Sequence, residues 1–455
     1  MHQFDVLIIG GGPGGYLAAE RAAEGGLQAA LFEERALGGV CLNEGCIPSK
    51  TLLNAAKYYD HARHGAAFGV TVSGAEINHA QVVARKNQVV KTLVSGVGAK
   101  MRSRRVKVVQ ARAEIQGKSD GGFTVMAHGE TYAGKRLLIA TGSKPLLPPI
   151  PGVEGGLASG FVLTNREILD LESLPGRLVI IGGGVIGLEM AAYFQTVGTQ
   201  VTVVEMLDKI GGYTDSEIGA LLQKELEKKG VVFQLESTVT GVTQGGIEVQ
   251  REGKTQEIEA DKVLLSIGRK PAVQGIGLEH IGVYVDKGAV VTDAHLRTNI
   301  PGVYAVGDVN GKSMLAHTAY REAEVAVHHM LGKRDTMRYE AVPAVIYTWP
   351  EAASVGETEE GAKARGLDVE TVRVPLAYSG RYVAETAGEN GLCKLIVEKG
   401  SQRLLGVHLL APYASEIICG AALMLEMRLS IEEIRELIFP HPTVGEVIRE
   451  GLFMV

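Results

Sequence analysis

The stretch "VLIIGGGPGGYLAAE", residues 6–20, decides the fold, because it joins a short aliphatic run, a glycine cluster and an alanine-rich helical pattern. The stretch "LVIIGGGVIGLEMAA", residues 178–192, repeats it closely. Each copy is typical of the strand, turn and helix of a dinucleotide-binding βαβ unit. The chain therefore predicts an α/β fold in which one module occurs twice.

The glycines of both copies follow the GxGxxG spacing: Gly10, Gly12 and Gly15 in the first, and Gly182, Gly184 and Gly187 in the second. One glycine turns the chain, one lets a pyrophosphate approach and one lets the helix pack on the strand. An acid ends the next predicted strand in both copies, at Glu33 and Glu205, each 23 residues beyond the first glycine. Ordinary glycine turns would explain one copy, but the shared acid spacing favours two bound dinucleotides.

Further repeats follow each module. The segments "KRLLIATGSKP" (135–145) and "DKVLLSIGRKP" (261–271) are alike, and "TNIPGVYAVGDV" (298–309) is an alternating strand that delivers Asp308. Asp308 could accept hydrogen bonds from a polyol chain, although the residue alone favours a turn. From about residue 342 the fingerprints stop, and alternating and helical stretches predict a separate α+β domain.

Composition narrows the class of protein. With 22% charged residues and a net charge of −6, nothing suggests a nucleic-acid-binding or membrane-surface protein. No apolar run reaches the roughly 18 residues of a membrane span, and the first residues lack a basic n-region. We expect no membrane span, no bound metal and a cytoplasmic location.

The stretch "GGVCLNEGCIPSK", residues 38–50, places Cys41 and Cys46 directly after the acid of the first module. A regular helix would hold an i, i+5 pair too far apart for a disulfide, so a bridge needs an irregular turn, which Gly38, Gly39 and Gly45 allow. Two inert thiols, half of a metal site and a redox-active disulfide all remain open. The redox alternative is favoured, because a dinucleotide domain surrounds the pair and no metal-like spacing completes a site.

The ordered set "GGGPGGY", "GGVCLNEGCIPSK", "ATGS", "GGGVIGLE", "IGRKP", "VYAVGDV", "LAHTAYREAE" and "HPTVGE" resembles the flavin-dependent pyridine nucleotide–disulfide oxidoreductases, and within them the dihydrolipoamide dehydrogenases. The resemblance covers the whole chain. It implies two Rossmann-like domains, for FAD and NAD, and a C-terminal α+β dimerisation domain. The implied domains are FAD-binding 1–145, NAD-binding 146–268, central or second FAD-binding 269–341, and dimerisation 342–455.

The resemblance also implies which residues hold the cofactors. Those implied for FAD are Gly10, Gly12, Gly15, Glu33, Lys50, Ala113, Thr141, Gly142, Asp308, Ala316 and His317. Those implied for NAD are Gly182, Gly184, Gly187, Glu189, Glu205, Val239 and Gly268. Lys50 is expected to pair with Glu189. NAD is preferred over NADP, because Glu205 would repel a 2′-phosphate and residues 201–208 contain no arginine.

The segment "FPHPTVGEVIRE" near the carboxyl end has two interpretations. The residues alone favour a capping box, with Thr443 capping a helix and Glu446 reaching back. The resemblance instead makes His441 the acid/base and Glu446 its partner. Pro440 and Gly445 depart from the family's usual small residue and serine, so the local turn is expected to differ slightly.

The implied reaction is dihydrolipoamide plus NAD⁺ giving lipoamide plus NADH, with Cys41, Cys46, His441 and Glu446 as catalytic residues. His441 would come from the partner of a homodimer, and the dihydrolipoamide from a lipoyl-bearing acyltransferase or H-protein. Two alternatives remain: another NAD(P)H-dependent disulfide reductase, or a scaffold flavoprotein that docks to a multienzyme complex. The basic run at 100–107 could be such a docking surface, although a solvated helix end that complements the helix dipole is favoured.

Overall fold

The structure is a computed structural model that describes residues 2–119 and 121–455. Met1 and Asp120, which fall in the first expected domain, lie outside the described residues. The strands are β1 (His2–Ile9), β2 (Ala29–Phe32), β3 (Lys107–Val109), β4 (Glu114–Ser119), β5 (Gly122–Ala127), β6 (Glu130–Ile139), β7 (Ser143–Pro145), β8 (Val162–Leu163), β9 (Arg177–Ile181), β10 (Gln200–Val204), β11 (Val232–Gln234), β12 (Thr238–Val242), β13 (Gly246–Arg251), β14 (Lys254–Glu259), β15 (Lys262–Leu265), β16 (Arg269–Pro271), β17 (Val285–Asp286), β18 (Ala289–Val290), β19 (Val303–Ala305), β20 (Ala344–Ile346), β21 (Glu351–Gly356), β22 (Val369–Pro375), β23 (Leu392–Glu398) and β24 (Arg403–Ala411).

The α-helices are α1 (Pro13–Glu24), α2 (Gly39–Glu44), α3 (Cys46–His64), α4 (His79–Ser103), α5 (Val153–Ser159), α6 (Val185–Thr196), α7 (Ser216–Lys228), α8 (Ala316–Met330), α9 (Glu359–Ala364), α10 (Gly380–Glu385), α11 (Ala414–Glu426), α12 (Ile431–Arg435) and α13 (Glu446–Leu452). Short 3₁₀ segments occur at Gly65–Phe68, Glu167–Asp170, Leu278–Ile281, Gly307–Asn310 and Leu376–Tyr378. Within the described ranges, no helix has the length and apolar character needed to cross a membrane.

The chain divides into two compact units. The first contains the described residues up to Thr51 together with Val83–Leu146 and Gly268–Arg338. The second contains Leu52–Val82, Leu147–Ile267 and Tyr339–Val455. The four-part division expected from the sequence stays a prediction.

The first unit is built on a sheet in the order β3-β2-β1-β6, with β19 beside β6, and all these pairs are parallel. The first half of β6 continues into an antiparallel ribbon with β5 and β4. Residues Val6–Ile9 of β1 are at most 4% exposed, as expected for a parallel strand covered on both faces. The continuous apolar run of the fingerprint is therefore the centre of this sheet.

The second unit repeats that arrangement. Its parallel sheet has the order β11-β10-β9-β15-β8, so β9, β10 and β11 correspond to β1, β2 and β3. An antiparallel sheet, β12-β13-β14, follows β11 in the chain. The duplicated sequence is thus a duplicated topology, and the expected α/β fold class is confirmed.

The carboxyl-terminal part of the second unit is an antiparallel sheet in the order β20-β21-β24-β23-β22. Helices α11, α12 and α13 contribute to its core, which contains Leu395, Val407, Ile418, Ile434 and Val447. This α+β layer positions the segment that carries His441.

Candidate active site

The glycine turns of the two modules are tied to their acids by equivalent hydrogen bonds. The Gly11 N–H donates to Oε2 of Glu33 at 2.7 Å, and the Gly183 N–H donates to Oε2 of Glu205 at 2.7 Å. The other oxygen of Glu205 accepts from the Leu207 N–H at 2.9 Å. Each carboxylate is therefore fixed at the carboxyl end of the second strand of its module, the position expected for a ribose partner.

The helix starts of both modules have the features that a pyrophosphate requires. A Cβ added to Gly15 would lie 1.7 Å from the Gly10 oxygen, and one added to Gly187 would lie 2.2 Å from the Gly182 oxygen. These two glycines are needed for the helix to approach the strand. A Cβ on Gly184, in contrast, would meet no described atom within 4 Å. The space over the start of α6 is open, so a phosphate group fits there against backbone N–H groups.

The residues expected to hold FAD all fall in the first unit. Thr141 Oγ1 donates to the Ala272 oxygen at 2.7 Å, and Gly142 has a φ of +68°. Ala113 is buried before β4, Ala316 begins α8 and His317 is exposed. Lys50 lies on α3. Their direct contact with FAD stays a prediction.

Asp308 is the end of a short polar chain in the first unit. Ser143 Oγ donates to its Oδ2, and Arg269 Nε donates to Ser143 Oγ at 2.7 Å. Burial raises the pKa of Asp308, against the opposing effects of Ser143 and Arg269. A carboxylate held in this way suits the polyol interpretation better than a simple turn, because its environment opposes ionisation unless hydrogen-bond donors are supplied.

Ser143 and Arg269 were not among the residues expected at the site. They occupy equivalent positions in the repeats "ATGSKP" and "SIGRKP", and the antiparallel pairing of β7 with β16 brings those repeats together. The alignment of the two repeats was the signal that could have identified them.

The residues expected to hold NAD mostly fall in the second unit. Val239 is buried on β12, and Glu189 is buried on α6, where its Oε1 accepts from the Tyr347 N–H at 3.2 Å. Gly268 belongs to the first unit and has a φ of +127°. The expected Lys50–Glu189 pair stays a prediction.

The cysteine pair lies at a break between two helices. Cys41 is the third residue of α2 and Cys46 is the first residue of α3, with Gly45 between the helices. The irregular turn required for a bridge is therefore present, and Gly38 and Gly39 begin it with φ values of +93° and +56°. Both sulfurs are thiols in this structure, and their side chains hydrogen-bond with each other.

The environment of the pair controls its protonation. The hydrogen bond with Cys46, followed by burial, raises the pKa of the Cys41 thiol, whereas the Lys50 ammonium acts in the opposite direction. Because the thiolate is the nucleophile, this dithiol needs a base to activate it. Within the described residues, no group of three or more metal-ligating side chains is present.

His441 and Glu446 form a hydrogen-bonded dyad. His441 Nδ1 and Glu446 Oε1 are 2.9 Å apart, and Glu446 Oε2 accepts from the Thr443 N–H at 2.7 Å. Burial opposes ionisation of Glu446, but the bonds from Thr443 and His441 outweigh it, so the pKa of Glu446 is lowered. The His441 side chain is 79% exposed, which leaves its ring open to a second molecule.

The capping box expected from the residues alone is wrong for the Thr443 side chain and correct for the Glu446 side chain. Gly445, not Thr443, is the N-cap of α13, and Thr443 Oγ1 donates to the Pro440 oxygen at 2.9 Å. Glu446 does reach back to the Thr443 N–H. One carboxylate therefore performs the backbone half of the cap and also orients the imidazole.

Family models match nearly the whole chain. The model described as pyridine nucleotide-disulphide oxidoreductase matches residues 4–323, and the dimerisation domain of the same family matches residues 342–452. The chain belongs to the pyridine nucleotide–disulphide oxidoreductase family. The dimerisation match supports a homodimer.

Individual relatives with full-length similarity indicate which members of the family this chain resembles. The chain is 40% identical to the mitochondrial dihydrolipoyl dehydrogenase of Pisum sativum, over 98% of this chain and 90% of that protein. It is 37% identical to the dihydrolipoyl dehydrogenase of Chlamydia muridarum, over 99% of this chain and 96% of that protein. Among solved structures, a Cu(II) complex of the HOCl-induced flavoprotein disulfide reductase RclA from Escherichia coli matches with a TM-score of 0.87 and 28% identity, covering 99% of this chain and all of that one. The family match, the dihydrolipoyl dehydrogenase relatives and this similar flavoprotein support FAD and NAD as the cofactors of this chain.

Proposed function

We propose that the chain is an NAD-dependent dihydrolipoamide dehydrogenase, which oxidises dihydrolipoamide to lipoamide and reduces NAD⁺ to NADH. The observation that carries the proposal is the Cys41–Cys46 pair, held in side-chain contact at a helix break within the first dinucleotide unit. The full-length dihydrolipoyl dehydrogenase relatives support the choice of substrate.

The proton chemistry follows from the dyad. A carboxylate oxygen only accepts hydrogen bonds, so Glu446 assigns the proton of His441 to Nδ1 and leaves the lone pair on Nε2. His441 of the partner subunit is the proposed base that takes a proton from the substrate dithiol. Glu446 stabilises the positive charge that forms on the ring.

The sulfur chemistry then proceeds by exchange. The substrate thiolate attacks Cys41 Sγ of the oxidised pair, the Cys41–Cys46 bond breaks, and Cys46 leaves as a thiolate. The second substrate thiol loses its proton and attacks the mixed disulfide, which releases lipoamide and the Cys41 thiolate. The substrate loses two electrons and two protons; the base accepts the protons in turn, and the pair gains the two electrons and passes from the disulfide to its reduced form. Bound FAD supplies the two-electron route from this dithiol to NAD⁺.

The physiological dithiol is proposed to be carried by a lipoyl-bearing acyltransferase or H-protein, and the proposed location is the cytoplasm. We do not propose docking through residues 100–107. Lys100 and Arg104 in that run pair with Glu20 and Glu24 on α1, so part of its charge is compensated within the chain.

The proposed function is tested with Cys46→Ser, measuring NADH formation from dihydrolipoamide and binding to a lipoyl-bearing domain. Turnover is expected to be lost while binding persists. The control is Cys419→Ser on the exposed cysteine of α11, which is expected to keep full turnover. Full turnover by Cys46→Ser would contradict the proposal and leave the scaffold alternative.

A further inference from the structure

An exposed aromatic side chain lies in the loop that follows Glu205 of the second module. Tyr213 is 102% exposed, and Met206 and Leu207 in the same loop are 69% and 49% exposed. Apolar side chains exposed singly are normal on protein surfaces. Three exposed apolar side chains in one loop, between β10 and α7, indicate a surface that binds an apolar or aromatic group.

The amino-terminal side of this loop is fixed to the glycine turn. The Gly211 N–H donates to the Gly183 oxygen at 2.8 Å, and the Leu207 N–H donates to Glu205 Oε1 at 2.9 Å. Ile210, between these anchors, is 1% exposed and would lie 3.3 Å from a Cβ on Gly183. Residues 207–211 therefore lie against the turn that is expected to receive the pyrophosphate.

The carboxyl-terminal side of the same loop is also anchored, through Asp215. Asp215 is fully buried, caps α7 through the Glu217 N–H at 3.1 Å, and lies 2.9 Å from Nζ of the buried Lys394. Between the two anchors, Gly211 and Gly212 adopt φ values of +80° and +60°, a left-handed conformation that side chains resist. This glycine pair turns the chain outward and presents Tyr213 to solvent.

The position of the loop in the fold indicates which half of the dinucleotide lies near it. In a sheet of this order, the ligand crosses the carboxyl ends of the strands, with its pyrophosphate at the helix after the first strand. The acid at the end of the second strand belongs to the adenosine ribose. Residues 206–214 directly follow Glu205, which comes immediately after β10, so this loop begins at the position expected for the adenosine half.

We infer that Tyr213 stacks on the adenine ring of NAD(H), with Met206 and Leu207 completing an apolar platform. An aromatic ring provides a flat apolar face for a purine. This inference rests on the proposed use of the second module for NAD, and it adds a residue that neither the fingerprint nor the spacing of the acid identifies.

The test is calorimetric titration of the FAD-loaded protein with 5′-AMP, nicotinamide mononucleotide and NADH. Tyr213→Ala is expected to weaken 5′-AMP and NADH binding about 10-fold, the loss of one stacking contact, while nicotinamide mononucleotide binding is unchanged. Tyr213→Phe should bind all three like the unaltered protein. The matched control is Tyr284→Ala, at another exposed tyrosine in the first unit, which should change none of them.

The outcomes separate this inference from the proposed function. Unchanged 5′-AMP affinity in Tyr213→Ala would overturn the stacking contact, even if that face binds another protein. Equal weakening of 5′-AMP and nicotinamide mononucleotide would also overturn it, because the effect would not be specific to adenine. Failure of the unaltered protein to bind NADH would instead contradict the proposed use of NAD.

Discussion

His441 Nδ1 lies 2.9 Å from Glu446 Oε1, while the second oxygen of the same carboxylate is held by the Thr443 N–H. The backbone bond fixes the carboxylate, and the carboxylate in turn fixes the imidazole. We expect Glu446→Gln to lower kcat for dihydrolipoamide about 100-fold and His441→Gln about 1000-fold, within the range of general acid–base catalysis.

Both variants should keep the NADH-dependent reduction of ferricyanide, which needs no proton from the dithiol. Because the pKa of Glu446 is lowered from 4.5, its carboxylate stays ionised as pH falls to that value. The acid limb of the activity profile above pH 4.5 should therefore not report Glu446. Glu450→Gln, on the same helix, is the control. A Glu446→Gln protein with unaltered kcat would refute the dyad.

The two glycines at the start of α6 should respond differently to the same substitution. Gly184→Ala adds a methyl group where no described atom lies within 4 Å, whereas Gly187→Ala places one 2.2 Å from the Gly182 oxygen. Gly184→Ala is expected to keep the thermal unfolding midpoint and lose NADH affinity about 10-fold or more, because the methyl group occupies pyrophosphate space. Gly187→Ala should lower the midpoint. Circular dichroism and NADH titration test both, and equal stability of the two variants would contradict this account.

A buried ammonium joins three carboxylates in the second unit. Lys394 is 1% exposed, and its Nζ lies 2.9 Å from Asp215, 2.9 Å from Glu359 and 3.2 Å from Glu217. Removing one partner of a buried pair costs about 3–5 kcal/mol, because the remaining charge stays desolvated. We expect Lys394→Met to lower the unfolding midpoint markedly at pH 7. Lys399→Met, at an exposed pair with Asp368, should leave it unchanged.

The effect of Lys394→Met should depend on pH. Hydrogen bonds from Lys363 and then Lys394 lower the pKa of Glu359 from 4.5 to about 2. Its contribution to stability is therefore full above pH 4.5 and is lost as pH falls toward 2. The pKa of Lys394 is raised from 10.5, so its contribution is full below that value. The difference between Lys394→Met and the unaltered protein should be constant between pH 5 and 9 and shrink below 4.5. A difference that stays undiminished between pH 4.5 and pH 2 would contradict this charge assignment.

The features that the sequence could predict are local. The strand, glycine turn and helix of each module are adjacent in the chain, and the acid follows at a constant spacing, so the positions of Glu33 and Glu205 after their strands could be predicted. Their hydrogen bonds with Gly11 and Gly183 come from the structure. The helix break at Gly45 could also be predicted from local sequence, because a disulfide between Cys41 and Cys46 cannot form within a regular helix.

The features that could not be predicted depend on pairing between distant parts of the chain, or on a choice between two hydrogen-bond partners for the same side chain. Arg269 reaches Ser143 only because β7 pairs with β16 across more than a hundred residues. Lys394 meets Asp215 through tertiary packing that no periodic pattern encodes. At Thr443 the spacing indicated a cap, but the hydroxyl bonds to Pro440 and the helix begins later.

The most direct test of the central claim is anaerobic titration of the FAD-loaded protein with dihydrolipoamide, followed by addition of NAD⁺. We propose that Cys46 is the member of the pair that faces the bound flavin, so the account predicts a long-wavelength absorption band from its thiolate and then one NADH for each dithiol consumed. Cys41→Ser should show the band without dithiol, because Cys46 is no longer bridged. If dihydrolipoamide produces neither the band nor NADH, the assignment of Cys41 and Cys46 as a dithiol-oxidising pair is wrong.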